Sequence, residues 1–355
     1  MTGWDREYTH NKKDYMELFD RVMQKEQETN VEFLEKNLSA RLGRNVVVCN
    51  SGTDALYFAL LSKGIGPGDE VIVSDYSWIS TASVIAMTGA TPVFASIDML
   101  SYHMNISSLR KLWGPKTPPE GFKSKVKAVI YPHLFGNMCD TTKITDFCKK
   151  KGLILIEDAC QALGSSYNGV AAGTIGDIST LSFNANKVVA GISGGGAIIT
   201  DGDTEIFKKL RKHGNHEMLG YNSKMLLFNA EVINYRLNKL DSYIERRQEI
   251  AKQYDEALKD VVYVQPNPPE LNHNYHKYVI KFNDKETRDK VKEKLGGNHY
   301  KKALSEYPMW DNIPHRKTDK DLAQQVADTT LFLPIHPYLT QEEINKTINT
   351  ILILV

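Results

Sequence analysis

Three short stretches carry residue types that could do covalent chemistry together. The stretch "LSFNANKVVAGISGGGAIIT", residues 181–200, sets Lys187 among small residues and follows it with four glycines in "GISGGG". A lysine so placed can form a Schiff base with a carbonyl, because burial and nearby cations lower its pKa. A solvent-facing lysine in a glycine-rich loop is the plainer alternative. The stretch "LILIEDACQALGSSYNG" puts Asp158 after an apolar run, at the carboxyl end of an expected parallel strand. Open α/β sheets place ligands there. A carboxylate in that position could hold a heterocyclic nitrogen protonated, or simply pair with a nearby N–H or basic side chain. If a helix starts after Asp158, the D-x-x-Q spacing brings Gln161 near it. The stretch "NSGTDALYFAL", residues 50–60, reads as a strand end, a small-residue turn and a helix start. Gly52 and Thr53 leave room there for a phosphate on free N–H groups. Ordinary N-capping by Ser51, Thr53 or Asp54 is the competing reading.

The order of the three stretches favours one cofactor. Pyridoxal phosphate needs a phosphate cradle, a carboxylate for its ring nitrogen and a lysine for its aldehyde. Ser182 lies just before Lys187. Trp78, in "SDYSWIS", is placed either to stack on a ring or to pack in the core. The glycines are not a dinucleotide fingerprint, since they precede a strand rather than open a helix.

The elements that must position these residues are legible in the apolar pattern. Seven short runs, "NVVVCN", "EVIVSD", "PVFASID", "KAVIYPH", "LILIEDA", "STLSF" and "GAIITD", alternate with helical intervals. Apolar runs without alternation suggest an α/β protein whose mostly parallel sheet is covered on both faces. Residues 14–42 read as helical. After Gly220, "MLLFNAEVINYRLNKLDSYIERRQEIAKQYDEAL" reads as a long helix broken once. A smaller C-terminal α+β unit follows, with "HKYVIKF", a charged helix over 285–295, "TLFLPIHP" and a final helix from Gln341. The expected division is 1–245 and 246–355.

The 355 residues are 41% hydrophobic and 25% charged, with a formal net charge of +1. Nothing in that balance points to nucleic-acid or membrane partners. The four cysteines show no C-x-x-C spacing, so reduced thiols in a cytoplasm are expected. The opening "MTGWDREYTHNKKDY" does not read as a signal peptide.

From about Glu32 onward the chain resembles the DegT-type (StrS-type) aminotransferases, which act on nucleotide-linked keto-sugars. The resemblance rests on residues 50–98, on "IEDACQALGSSYNG", "SFNANK" and "GYNSKM", and on "NYHKYVIKF", "NHYKKAL" and "LPIHPYLTQEEI". It implies a fold-type I pyridoxal phosphate transferase with a seven-stranded sheet, working as a homodimer. Lys187 would carry the cofactor and shuttle protons, and Asp158 would pair with the ring nitrogen. Gly52, Thr53 and Ser182 would hold the phosphate, Trp78 would stack on the ring, and Gln161 would reach the ring hydroxyl. Asn222 would reach the phosphate of the neighbouring subunit. His299 and Tyr300 fall on the family's substrate side. An amino-acid donor, expected to be L-glutamate, and a nucleotide-sugar acceptor aminated at C3 or C4 would be the substrates.

The chain departs from the family pattern in three places. Ser223–Lys224 replaces an aromatic–arginine pair, and lysine cannot make a bidentate arginine contact. "GISGGG" lacks the usual acid, and no glycine-rich substrate loop precedes Val31. The related sugar dehydratases carry histidine at the position of Lys187. A cysteine desulfurase would need a late reactive cysteine, yet the last is Cys160. A regulatory or catalytically inactive cofactor-binding protein is the remaining alternative.

Overall fold

All seven apolar runs form strands in this computed structural model, which describes residues 3–24, 30–114, 125–297, 300–318 and 321–355. The main sheet has eight strands, not seven. Their order is Asn45–Cys49, Gly196–Thr200, Ile178–Ser182, Ile154–Asp158, Val126–Pro132, Glu70–Ser74, Thr91–Ala95 and Arg316–Lys317. Gly196–Thr200 runs antiparallel to both neighbours, and the other pairings are parallel. The added edge strand has only two residues, both charged and exposed, so no apolar pattern marks it.

The runs lack polar alternation because both faces are covered. On one face Val46, Val48 and Ile199 pack with Leu34 and Leu38. On the other, Val47, Cys49 and Ile198 pack with Ala55, Leu56 and Ala59 of the helix Gly52–Ser62.

The helical region 14–42 is two helices, Lys12–Gln24 and Asn30–Leu42, with residues 25–29 outside the described set. The long helix after Gly220 is Leu227–Leu237 followed by Leu240–Leu258. Its second half leads into a separate apolar cluster, where Ile250, Tyr254 and Leu258 meet Ile280, Val291, Leu331 and Ile344. A three-stranded antiparallel sheet lies there, with Tyr278–Lys281 between Tyr263–Val264 and Thr330–Leu333. The helix Lys285–Leu295 has the bounds expected from sequence, with Asp284 capping it through the Thr287 N–H. Thr340 and Glu343 form a reciprocal cap on the last helix, Gln341–Leu354.

One short pairing matters for the site. Leu271–Asn272 pairs with Ser166–Tyr167, so the C-terminal unit returns to the loop behind Asp158. Asn274 then donates to the carbonyls of Gln161 and Leu163, at 3.0 Å each.

Candidate active site

Asp158 ends its strand, opposite Thr180 of the neighbouring parallel strand. The carboxylate is buried and held on two sides. Its Oδ2 accepts the Thr81 hydroxyl at 2.8 Å, and its Oδ1 accepts the Cys160 N–H at 3.2 Å. Neither partner is a cation, so the carboxylate keeps acceptor capacity for a ligand's N–H.

Lys187 sits in a turn closed by its own N–H on the Asn184 carbonyl, at 2.9 Å. The side chain is half-buried, while Asn184, Ala185 and Asn186 are exposed. Burial pushes the ammonium below its ordinary pKa, against the opposing pull of Cys160 and Asp158. A lysine so shifted gives up its proton more readily. The structure therefore brings Lys187 and Asp158 together, as expected.

The glycines after Lys187 make room for other parts of the chain. A Cβ at Gly196 would stand 2.2 Å from the Ser51 carbonyl oxygen and 2.7 Å from the Gly52 nitrogen. A Cβ at Gly191 would meet the Gly194 carbonyl at 2.3 Å and Asn229 Oδ1 at 2.4 Å. Gly195 adopts φ of 138°, in the region that favours glycine. The absence of side chains thus lets the Gly196–Thr200 strand press against the turn at Ser51–Gly52.

That turn is both a cap and a cradle. Ser51 caps the helix by accepting the Asp54 N–H at 3.0 Å, so the capping reading holds. No partner within the chain is found, among the described residues, for the N–H groups of Gly52 and Thr53. A Cβ at Gly52 would lie 2.7 Å from Ser182 Cβ and 3.1 Å from Ser182 Oγ. Gly52 and Ser182 are therefore in direct contact across the sheet end, as an anion cradle at a helix N-terminus requires. Thr53 turns its hydroxyl to Ser80 at 2.8 Å.

Trp78 is 56% exposed, so it is not a core tryptophan. Its ring lies 6.4 Å from that of Tyr300, tilted by 45°. Gln161 is buried; its Nε2 donates to the Tyr300 hydroxyl at 3.1 Å, and its Oε1 accepts the Phe135 N–H at 2.9 Å. Tyr300 thus joins the same cluster, whereas His299 lies outside the described residues. Asn222 is exposed and forms an isolated antiparallel bridge with Lys212. Its neighbour Ser223 is buried and tied to the turn, accepting the Asn50 N–H at 3.1 Å and donating to Asp54 at 2.6 Å. Lys224 is exposed.

Sequence reasoning missed two residues here. Thr81 gave no signal, being one hydroxyl in a small-residue helix. His276 stood in a segment read only as a landmark. It is buried between Gln161 Oε1, at 3.2 Å from Nδ1, and the Asn186 carbonyl, at 3.1 Å from Nε2. Both ring nitrogens face carbonyl oxygens, while burial, with the charge of Lys187, pushes its pKa well down.

Among the described residues no helix is long and apolar enough to cross a membrane. No group of three or more His, Cys, Asp or Glu among them could hold a metal ion.

Comparison with known proteins places this arrangement. Residues 10–352 match the profile of the DegT/DnrJ/EryC1/StrS aminotransferase family. The chain is 30% identical to a pleiotropic regulatory protein of Geobacillus stearothermophilus, over 97% of this chain and 95% of that one. It is 35% identical to the UDP-N-acetyl-3-dehydro-alpha-D-glucosamine 3-aminotransferase of Acidithiobacillus ferrooxidans, over 84% of this chain and 81% of that one. A solved DegT DnrJ EryC1 StrS aminotransferase from Brucella abortus superposes with a TM-score of 0.90 at 30% identity, covering 99% of this chain and 97% of that one. With a strand-end acid, a half-buried lysine and a helix-end cradle at the carboxyl ends of the strands, the chain belongs to the DegT/DnrJ/EryC1/StrS aminotransferase family.

Proposed function

We propose that this protein is a pyridoxal-phosphate-dependent aminotransferase that moves an amino group from an amino acid, L-glutamate first among them, to a nucleotide-linked keto-deoxysugar at C3 or C4. The observation that carries this reading is the meeting of Lys187 with the Thr81-held carboxylate of Asp158. The residues present fit the cofactor. The open N–H groups of Gly52 and Thr53 and the Ser182 hydroxyl suit its phosphate, in space that a Cβ at Gly52 would fill. Asp158 suits its ring nitrogen, and exposed Trp78 suits one ring face.

When bound, the cofactor supplies an electrophilic carbon and an electron sink. The chain's own part is holding and moving protons. Asp158, fixed by Thr81 and the Cys160 N–H, would hold the cofactor's ring nitrogen and keep it protonated. Lys187, with its pKa lowered by burial, alternates between accepting and returning a proton at Nζ. Gln161 is locked by Phe135, Tyr300 and His276, and one of its two amide hydrogens remains for a ligand oxygen.

The same reading includes a homodimer. Asn222 lies on an exposed apolar segment in which Leu219 is 92% exposed, a surface suited to burial against a second copy. Asn222 would then serve the partner's site. We divide the chain at 245/246. Leu240, Tyr243 and Ile244 pack into the large sheet's cluster, whereas Ile250 and Tyr254 pack into the C-terminal one. We place the reaction in the cytoplasm, in keeping with four free cysteines.

A regulatory reading has one observation behind it, the likeness to the Geobacillus protein. The visible absorption spectrum with added pyridoxal phosphate, before and after L-glutamate, separates the two. The enzyme reading expects a band that glutamate converts to the amine form and that Lys187→Ala lacks. A band indifferent to glutamate and to Lys187 overturns it.

A further inference from the structure

His103 lies in the connection between the strand Thr91–Ala95 and the helix Ile106–Trp113. Asp98 fixes that connection. Its side chain accepts the N–H groups of Leu100, at 3.0 Å, and Ser101, at 2.8 Å, and its own N–H reaches the His103 carbonyl at 2.9 Å. His103 is 5% exposed, and its ring stacks on that of Tyr131, with centroids 6.1 Å apart and planes 10° apart. The Tyr131 hydroxyl in turn lies 3.2 Å from Cys139 Sγ, in the segment that follows the strand Val126–Pro132. Neither ring nitrogen of His103 closes a hydrogen bond of ordinary geometry. Burial lowers the pKa of the ring, but the Cys139 thiol beside it and Asp98 outweigh burial and raise it.

Cys139 differs from the other three thiols. Burial pushes Cys49, Cys148 and Cys160 up. Burial acts on Cys139 too, and the charge of Asp140 adds to it. His103 and the Tyr131 hydroxyl outweigh both and bring the thiol below its ordinary value. The thiolate is the nucleophilic form of cysteine, and a neighbouring imidazole favours it. Cys139 is also only half-buried, whereas Cys49 and Cys148 are closed to solvent. Asp140 and Tyr167 are the other titratable groups that act with it.

We propose that Cys139 is a modification site whose sulfur attacks a hydroperoxide, with His103 holding the proton and Tyr131 holding the sulfur. A half-buried thiolate with an acid beside it suits a small neutral electrophile whose leaving group needs a proton, and a hydroperoxide is one. His103 takes the thiol proton. The sulfur attacks one peroxide oxygen, so that the S–O bond forms as the O–O bond breaks. Sulfur gives up two electrons and becomes a sulfenic acid, and the peroxide is reduced. The leaving oxygen takes the proton back from His103 and departs as water or an alcohol. No part of this step uses Lys187 or Asp158, so it is independent of the aminotransferase reading.

The test treats the cofactor-loaded protein with hydrogen peroxide and then dimedone, and maps the adducts by peptide mass spectrometry. An adduct at Cys139, and none at Cys49, Cys148 or Cys160, is expected. Iodoacetamide labelling of Cys139, followed from about pH 5 to about pH 9, should reach half its plateau rate below the ~8.5 of a free thiol. His103→Gln should move that midpoint up and slow labelling near neutral pH by about tenfold. Tyr131→Phe keeps the ring on which His103 stacks and removes only the hydroxyl. It should move the midpoint the same way by less, and it is the second variant should His103→Gln fold poorly. Cys139 labelled no faster than Cys49 and Cys148 overturns the site. Fast iodoacetamide labelling with no dimedone adduct overturns the hydroperoxide. A midpoint unmoved in both variants overturns the part given to His103 and Tyr131.

Discussion

Thr81 donates its hydroxyl to Asp158 Oδ2 at 2.8 Å, and both side chains are buried. The contact joins the helix Ser80–Met87 to the end of the strand Ile154–Asp158. It aims the carboxylate without neutralising it, which an ion pair would do. Thr81→Val should therefore weaken pyridoxal phosphate retention by about tenfold, the scale of one hydrogen bond to a charged group. Equilibrium dialysis measures this. Asp158→Asn should keep the lysine-bound band yet slow its conversion by L-glutamate about a hundredfold or more. An Asp158→Asn protein as fast as the parent would remove Asp158 from the mechanism.

The glycine contacts separate stability from binding. Gly196→Ala drives a methyl into the Ser51 carbonyl, a backbone atom that cannot swing aside. It should cost about 1–3 kcal/mol, seen as a melting temperature lower by several degrees. Gly52→Ala meets the Ser182 side chain instead, at the cradle itself. Its larger effect should be on affinity for inorganic phosphate or the cofactor. A Gly52→Ala protein that binds both as the parent does would refute the cradle.

Glu157 predicts an acid limit for the fold. It is fully buried and accepts from Gly173 N–H at 2.7 Å, Ile175 N–H at 2.8 Å, Ser179 at 2.7 Å and His133 Nε2 at 2.9 Å. Burial raises its pKa, but His133, the Gly173 N–H and the Ser179 hydroxyl outweigh that and bring it down to about 2. A depressed carboxylate stabilises the fold fully above its unfolded value of 4.5 and loses that contribution as pH falls towards 2. The contribution is ~3 kcal/mol. Glu157→Gln should flatten the dependence of stability on pH between these limits, as urea titrations across that range would show.

Glu7 and Arg236 form a buried bidentate pair, and Arg236 Nη1 also reaches the Ala190 carbonyl at 2.6 Å. The N-terminal helix Gly3–His10 is thereby tied to the loop that carries Lys187. Glu7→Ala removes the carboxylate that faces the buried Arg236 guanidinium and should cost about 3–5 kcal/mol. Hydrogen exchange should rise in residues 3–24 and around 184–190 together. A rise confined to the helix would show that the loop does not depend on it.

The sequence by itself determined the strand and helix plan and the three chemical stretches. Those depend on local periodicity, on apolar runs buried on both faces, and on residue types whose chemistry needs no neighbours to recognise. Only the tertiary structure decided which partners those residues meet. Thr81 and His276 lie 77 and 115 residues away from Asp158 and Gln161, respectively (158 − 81, 276 − 161). No local pattern encodes contacts at such separations. The two-residue strand Arg316–Lys317 is charged and exposed, so nothing in its composition marks its place on the sheet edge. The glycines after Lys187 were visible as a cluster. What they make room for, the carbonyl of Ser51 and the side chain of Asn229, depends on how strands far apart in sequence are paired.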